Sequence, residues 1–152
     1  MNSNELKLIV QNDKVLNRHF LGVFPRDKLP FINQKGMQIF IVNCSKSGTP
    51  GTHWVLMCYN GRRHVLYYDP FGFPDYYYGK EFKIHMDEFA RKSQNNNVAH
   101  QDFRSDKCGF FCLFIAIKLV RNWKFNKISR LFYRKKLSRN DNILERFFRA
   151  KF

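Results

Sequence analysis

The sequence lacks a long apolar run and lacks the pattern of an export signal. Its longest apolar stretch, Gly109 to Ile117, is far shorter than the roughly 20 residues that a membrane-spanning helix needs. Residues Met1 to Glu5 show no basic stretch followed by an apolar one, as a secretory signal does. We therefore expect a protein that is not secreted and has no membrane partner.

Cysteine is also scarce, and its spacing fits neither a zinc site nor a disulfide framework. The four cysteines form no two C-x-x-C pairs that would complete a zinc site, so no metal is expected. Without a secretory signal, disulfides are not the default interpretation. We expect free thiols in a reducing compartment, and the cysteines are Cys44, Cys58, Cys108 and Cys112.

Acidic residues are few, and the resulting positive charge is uneven. The chain has 27 Lys and Arg against 12 Asp and Glu, a net charge of +15. Residues 118–152 hold 12 basic and two acidic side chains, a net +10, and the other 117 residues carry +5. Such a segment attracts polyanions, of which nucleic acid is the commonest, although a solvated basic face is the alternative. The candidate DNA contacts are Lys118, Arg121, Lys124, Lys127, Arg130, Arg134, Lys135 and Lys136.

The length and the many aromatic residues predict a folded chain. A length of 152 residues suits one domain, and 17 Phe exclude a disordered protein, which has few aromatics. We expect a single domain over residues 1–152 with a basic helical C-terminal segment over 121–152.

The first third of the chain predicts one helix, one strand and two loops. Apolar spacing predicts an amphipathic helix over residues 4–18. Glycine and prolines predict a loop from Phe20 to Phe31. Gln38 to Asn43 is typical of a buried strand, and Ser45 to Gly51 of a loop.

A β-hairpin is the clearest local pattern. Two strand-like runs, Thr52 to Tyr59 and Arg63 to Asp69, flank Asn60-Gly61, and Pro70 ends the second run. A three-residue loop would place His53 opposite Asp69, whereas a two-residue turn would place it opposite Tyr68. The sequence leaves both registers open.

The remaining elements complete an α+β fold: a central, mainly antiparallel sheet, a buried helix and flanking helices. The helix after Cys108 is apolar on almost every face, which is typical of a buried helix. Ser138 or Asn140 is expected to cap the last helix. The predicted elements are a loop over 76–80, a helix over 82–92, a polar loop over 93–97, a strand over 98–103, and helices over 108–123 and 138–152.

Cys108 is the candidate nucleophile because it stands at the start of that buried helix. The positive end of the helix dipole favours the thiolate, and Gly109 leaves the approach to the sulfur free of a side chain. A single cysteine is more often a small buried apolar residue. We assign that structural role to the other three cysteines, which lie within apolar runs.

A thiol nucleophile needs a base, an orienting group and an oxyanion donor. His53 opens the first hairpin strand, and Asp69 closes the second. Gln101 lies seven residues before Cys108, and its amide could join the Cys108 N–H as oxyanion donor. Each residue alone is more often structural. Trp54 is expected beside His53, and His64 and His85 are expected at the surface.

Taken together, the motifs resemble those of the adenovirus endoproteases, in a clan that also holds SUMO proteases. The segments are Gly51-Thr52-His53-Trp54-Val55, Tyr68-Asp69-Pro70-Phe71-Gly72-Phe73, Gln101, and Cys108-Gly109-Phe110-Phe111-Cys112. The resemblance implies a papain-like arrangement with His53 as base, Asp69 as its orienter, Gln101 in the oxyanion hole and Cys108 as nucleophile.

The resemblance also implies a biological setting. It implies a thiol protease of a virophage, a Maverick-type element or another small DNA virus, which cleaves precursor proteins at glycine-containing sites during virion maturation. It implies location in the virion and in the infected cell, in the nucleus or a cytoplasmic viral factory. The chemistry needs no cofactor, and DNA would be an activating polyanion.

One departure and two alternatives remain. Ser93 to Asn97 lacks the cysteine that anchors the adenoviral activating peptide, so we expect any activating peptide to bind without that disulfide. The alternatives are a ubiquitin- or SUMO-type isopeptidase of the same clan and a non-catalytic nucleic-acid-binding virion protein. The second is supported by aromatic residues interleaved with Lys and Arg near the C-terminus.

Overall fold

The computed structural model describes residues 1–152, which form one sheet with most of the helices on one face and a single helix on the other. The five strands lie in chain order across the sheet. This is the α+β architecture that the sequence predicts. The strands are β1 (Phe20–Pro25), β2 (Gln38–Asn43), β3 (Trp54–Tyr59), β4 (His64–Tyr68) and β5 (Lys92–Asn95). The helices are α1 (Ser3–Gln11), α2 (Lys14–Asn17), α3 (Glu81–Phe89), α4 (Cys108–Leu119), α5 (Phe125–Ser129) and α6 (Asn140–Lys151), with a 3-10 turn over Leu137–Arg139.

The sheet is mixed. Its central strand β3 is antiparallel to both β2 and β4, whereas β1 runs parallel to β2 and β5 runs parallel to β4. Every residue of β3 is buried. Helices therefore cover both faces of the sheet, as a strand without polar positions requires.

The pleat of β2 divides the core into two clusters. Ile39 and Ile41 pack with α4, α1, α5 and α6 on one face. Phe40 and Val42 pack with α3 on the other face. Helix α4 is buried at nine of its 12 positions, which follows from its nearly unbroken apolar sequence. It ends at Leu119 instead of continuing to Trp123.

The sequence predictions fail mainly at the sheet edges. Strand β1 occupies part of the predicted loop Phe20 to Phe31, and β5 occupies most of the predicted loop 93–97. An edge strand bonds to one neighbour only, so it tolerates Pro25 and polar residues that mimic loop signals. The strand predicted over 98–103 does not form, and α5 lies within the helical segment predicted over 121–152.

Asp13 divides the helix predicted over 4–18 into α1 and α2. Its carboxylate accepts hydrogen bonds from the backbone of Val15 and Leu16 and caps α2. It also lies 3.0 Å from both Arg121 and Lys151, so one buried carboxylate joins α2 to the ends of α4 and α6. These bonds outweigh the effect of burial and lower the pKa of Asp13 to about 2.

The start of α6 also differs from the prediction. Arg139 is the N-terminal flanking residue, and neither Ser138 nor Asn140 caps the helix. The Asn140 side chain is bonded to other loops instead. No helix in the structure has both the length and the apolarity to cross a membrane.

Candidate active site

The β3–β4 hairpin brings an imidazole and a carboxylate together in a register that differs from both predicted ones. Tyr59 pairs with Val65 and Leu56 with Tyr68. Continued, this register places His53 opposite Phe71, so both predicted pairings, with Asp69 and with Tyr68, are wrong. The side chain of Asn60 accepts the N–H groups of Arg62 and His64 and lies beside the turn instead of within it.

Asp69 follows the last residue of β4 and begins a tight turn. The Gly72 N–H donates to the Asp69 carbonyl over 2.8 Å, with Pro70 at the second position, as in a type I turn. The carboxylate accepts the N–H groups of Phe71 at 2.9 Å and Phe73 at 3.2 Å. The turn thus directs the carboxylate back toward the hairpin.

The Asp69 carboxylate is fully buried and bonded to the His53 ring. His53 Nε2 lies 2.6 Å from Asp69 Oδ1. The Tyr78 hydroxyl donates to the second carboxylate oxygen over 2.7 Å. Asn96 bonds both backbone groups of Asp69, at 3.0 Å and 2.6 Å. Together these contacts fix the position of the carboxylate and of the backbone that carries it.

Tyr78 and Asn96 were missed by sequence reasoning. The run Tyr76 to Tyr78 in a predicted loop was the only available signal, because aromatic residues are uncommon in exposed loops. Asn96 lies in a polar run that looks like a solvated loop. Both contacts join residues that are distant in sequence, so local pattern could not reveal them.

The second nitrogen of the His53 ring is left for Cys108, because Asp69 occupies Nε2. Burial of the thiol raises the pKa of Cys108, but the hydrogen bond and charge of His53 outweigh burial and lower it below its usual value. Burial likewise lowers the pKa of His53, but Asp69 and Cys108 outweigh it and raise the pKa to about 9. The two shifts favour a thiolate–imidazolium pair.

The backbone around the sulfur adds to this preference. Cys108 is the first residue of α4, and the N–H groups of Trp54 and Gly109 lower the pKa of its thiol further. Gly109 is buried, so it does not serve as the open approach that we expected. A Cβ there would lie 2.8 Å from Met1 Sδ and 3.1 Å from Leu6 Cδ2, so the glycine allows close packing.

Gln101 lies in the loop before α4 and is almost fully buried. Its Nε2 donates to the Ser105 carbonyl over 2.9 Å, which leaves the second N–H of the amide free for another acceptor. The loop is fixed to the Asp69 turn, because the His100 and Gln101 N–H groups both donate to the Pro70 carbonyl. The Gln101 amide therefore has a defined position relative to Asp69.

The first turn of α6 fastens both ends of the same loop. Asn140 Nδ2 donates to the His100 carbonyl over 2.7 Å. The Ser105 hydroxyl donates to Asp141 Oδ1 over 3.0 Å. Asn140 is completely buried, which explains why its side chain is not free to cap α6.

Two further histidines are buried away from Cys108. His85, expected at the surface, contacts the Tyr59 hydroxyl at 2.7 Å and the Pro30 carbonyl at 2.6 Å. His100 contacts the Tyr68 hydroxyl and Ser129, each at 2.9 Å. Burial lowers the pKa of His85, and burial with Arg134 lowers that of His100 to about 4. Both are neutral structural groups. His64 is exposed, as predicted.

A cavity of about 640 Å³ joins the predicted site residues. Cys108, His53 and Gln101 line it, and Trp54 lies beside His53 as expected. The Trp54 indole N–H donates to the Met1 carbonyl over 2.9 Å, which fixes one wall of the cavity.

The other three cysteines, Cys44, Cys58 and Cys112, are buried free thiols. No group of three or more His, Cys, Asp or Glu residues is arranged to hold a metal ion.

The candidate DNA-contacting residues divide into two groups. Lys118 is half-buried against Phe114, Trp123 and Phe147, and Arg121 pairs with Asp13, so both take part in internal contacts. Lys127 also lies over the Trp123 ring, but its side chain is exposed. The exposed group lies between α4 and the 3-10 turn and consists of Lys124, Lys127, Arg130, Arg134, Lys135 and Lys136.

Sequence comparison finds similarity to adenovirus proteases. The model of the adenovirus endoprotease family matches residues 20–138, which include His53, Asp69, Gln101 and Cys108. The protease of Bovine adenovirus 2 is 26% identical over 137 residues, which cover 83% of this chain and 66% of that protein. The protease of Ovine adenovirus D serotype 7 is 23% identical over 145 residues, covering 83% and 72%.

A solved structure shares the fold. The selenomethionine crystal structure of an ASFV protease superposes with a TM-score of 0.56 at 15% sequence identity, over 90% of this chain and 64% of that chain. The present chain thus spans about two thirds of the length of the bovine adenovirus protease and of the ASFV protease. Because the family match extends over most of the sequence and includes His53, Asp69, Gln101 and Cys108, the chain belongs to the adenovirus endoprotease family.

Proposed function

We propose that this chain is a cysteine endopeptidase with Cys108 as nucleophile, His53 as general base and acid, and Asp69 as orienter. One observation carries the proposal: the His53 ring is bonded to buried Asp69 at 2.6 Å and lowers the pKa of the Cys108 thiol. A nucleophile, a base and an orienting carboxylate in this order are what thiol-based acyl transfer needs.

The reaction follows from these contacts. The Cys108 thiolate attacks the scissile carbonyl, and the Gln101 amide with the Cys108 N–H stabilises the resulting oxyanion. As the C–N bond breaks, the His53 imidazolium gives its proton to the leaving amine. The neutral imidazole then takes a proton from water, whose oxygen attacks the thioester, and the acid product leaves as the thiolate and imidazolium form again.

Replacement of the nucleophile tests the mechanism. Cys108→Ala should abolish cleavage of peptides, whereas Cys58→Ala, which removes a buried thiol outside the cavity, should retain it. Undiminished turnover by Cys108→Ala would rule the mechanism out. Circular dichroism of both variants would separate loss of chemistry from loss of folding.

The substrates that we propose are viral precursor proteins cleaved at glycine-containing sites during virion maturation. Family membership supports this proposal, which places the protein in the virion and in the infected cell. An isopeptidase acting on ubiquitin-like proteins is the competing activity. A panel of glycine-containing viral peptides and ubiquitin-like fusions would separate the two, and preferential cleavage of the fusions would contradict our proposal.

DNA is the proposed activating polyanion. The exposed basic side chains before α6 support this, since Arg134, Lys135 and Lys136 form no ion pair. Each lost phosphate contact should reduce the slope of log Kd against log salt by about 0.9. Replacing these three residues with alanine should therefore flatten the salt dependence, whereas replacing exposed Lys28 and Lys46 should not. An affinity for DNA that does not change with salt concentration would contradict the proposal.

A further inference from the structure

An aromatic surface extends from the catalytic imidazole to the outside of the cavity. It consists of Phe71, Phe73, Tyr77 and Phe103, and we name it the aromatic shelf. We infer that the aromatic shelf binds a large apolar side chain of the substrate on the leaving-group side of the scissile bond. This inference rests on the proposed peptidase function and specifies which peptides it favours.

The rings of the aromatic shelf contact one another in an unbroken series. The Phe71 ring is stacked on His53 with centroids 4.4 Å apart and planes at 12°. Phe103 stacks on Phe71 at 5.2 Å and lies 6.0 Å from Phe73. Phe73 stacks on Tyr77 at 4.1 Å. The series gives the cleft a rigid apolar extension that starts at the general base.

The outer rings are exposed to an extent that core packing does not explain. Phe103 is 72% exposed and Tyr77 is 57% exposed. Single exposed apolar residues are ordinary, but a contiguous exposed aromatic patch marks a binding surface. The exposed Phe103 and Tyr77 rings therefore offer apolar surface to an occupant.

Continuity with the cleft identifies that occupant as the substrate. Phe71 and Phe103 line the same cavity as Cys108 and His53. A peptide whose carbonyl reaches the Cys108 sulfur therefore passes along the aromatic shelf.

The chemistry places the contact on the leaving-group side. His53 must give its proton to the leaving amine, so the residues after the scissile bond run past the imidazole. Phe71 covers one face of that imidazole, and the remaining shelf continues outward from it.

The polar surroundings favour an uncharged side chain. Asp102 and Arg104, which flank Phe103, neutralise each other through a 3.1 Å ion pair. Exposed rings accept another ring in offset-stacked or edge-to-face geometry. We therefore expect the order Phe and Tyr, then Leu and Met, then Ala and Ser at the favoured substrate position.

The experiment uses internally quenched peptides that share one acyl side and carry either Phe or Ala at each of the first three leaving-side positions. The wild-type enzyme should prefer Phe by about tenfold in kcat/KM at one of them. Phe103→Ala should reduce that preference to near unity. Phe31→Ala, which removes an equally exposed phenylalanine outside the cavity, should retain it.

Binding to inactive Cys108→Ala protein, measured by fluorescence anisotropy with the same peptides, gives a readout that does not require turnover. Equal binding of the Phe and Ala peptides, no binding of either, or an unchanged preference in the Phe103→Ala background would overturn the inference. Cleavage without any leaving-side preference would overturn it and leave the peptidase proposal intact. If Cys108→Ala protein binds the Phe peptide preferentially but the wild-type enzyme cleaves neither peptide, the result would support the aromatic shelf and contradict the peptidase proposal.

Discussion

Gly72 lies where the Asp69 turn contacts the backbone just before Gln101, and replacing it offers a quantitative test of the geometry. Gly72 has a positive φ of 79°, and an added Cβ would lie 2.7 Å from the Ala99 nitrogen and 2.8 Å from the Val98 carbonyl carbon. Those atoms are backbone and cannot rotate away. Gly72→Ala must therefore push the Asp69 turn away from the loop that carries Gln101.

The expected cost has two parts. A left-handed backbone costs an alanine about 1–2 kcal/mol, and a steric insertion that moves backbone costs about 1–3 kcal/mol more. Gly48 is a matched control, because its φ is 81° and nothing lies within 4 Å of an added Cβ. Gly48→Ala should lose stability only through the cost of the left-handed backbone. For a domain of this size the difference corresponds to a further drop of about 2–12 °C in Tm.

Urea unfolding and peptide hydrolysis together would check this reasoning. Gly72→Ala should unfold at lower urea than Gly48→Ala. Under conditions where both are folded, it should show kcat/KM reduced by about tenfold or more, because small misplacements of catalytic groups are costly. Equal midpoints for the two variants, with wild-type kcat/KM for Gly72→Ala, would refute the proposed close approach.

Three further predictions concern the ionised groups and their supports. The value of kcat/KM should fall at low pH as the Cys108 thiolate is protonated, and it should fall again near pH 9 as His53 loses its proton. Because Asp69 raises the pKa of His53, Asp69→Asn should move this alkaline limb to lower pH. Tyr78→Phe removes one hydrogen bond to Asp69, so urea unfolding should show a loss of about 1 kcal/mol in the free energy of unfolding. Asn140→Ala should lower kcat more than it raises KM, because it releases the Gln101 loop at His100; a change in KM alone would contradict this role.

The central elements could be predicted because their sequence patterns have few alternative interpretations. Apolar, β-branched and aromatic residues make up most of strands β2, β3 and β4, and α4 is too long and too apolar for a strand. The edge strands β1 and β5 were missed. Their Gly22, Pro25 and polar side chains give loop signals, and only pairing with a neighbour makes them strands.

The candidate site divides in the same way. His53, Asp69, Gln101 and Cys108 were found because their order and spacing resemble a family pattern. Their register was not predictable, because the Asn60 side chain accepts hydrogen bonds beside the turn and lengthens the hairpin loop. The supports Tyr78 and Asn96 depend on contacts across the fold, which local pattern does not encode.

The four cysteines differ in the exposure and the pKa of their thiols, so alkylation of the protein can report its own folded state. Burial raises the pKa of the Cys44, Cys58 and Cys112 thiols, whereas Cys108 is partly exposed and its pKa is lowered. A mild alkylating reagent at neutral pH should therefore modify one sulfur per folded molecule and four per denatured molecule. A single mass spectrum would then give both the concentration of competent active sites and the fraction of denatured chains in a preparation.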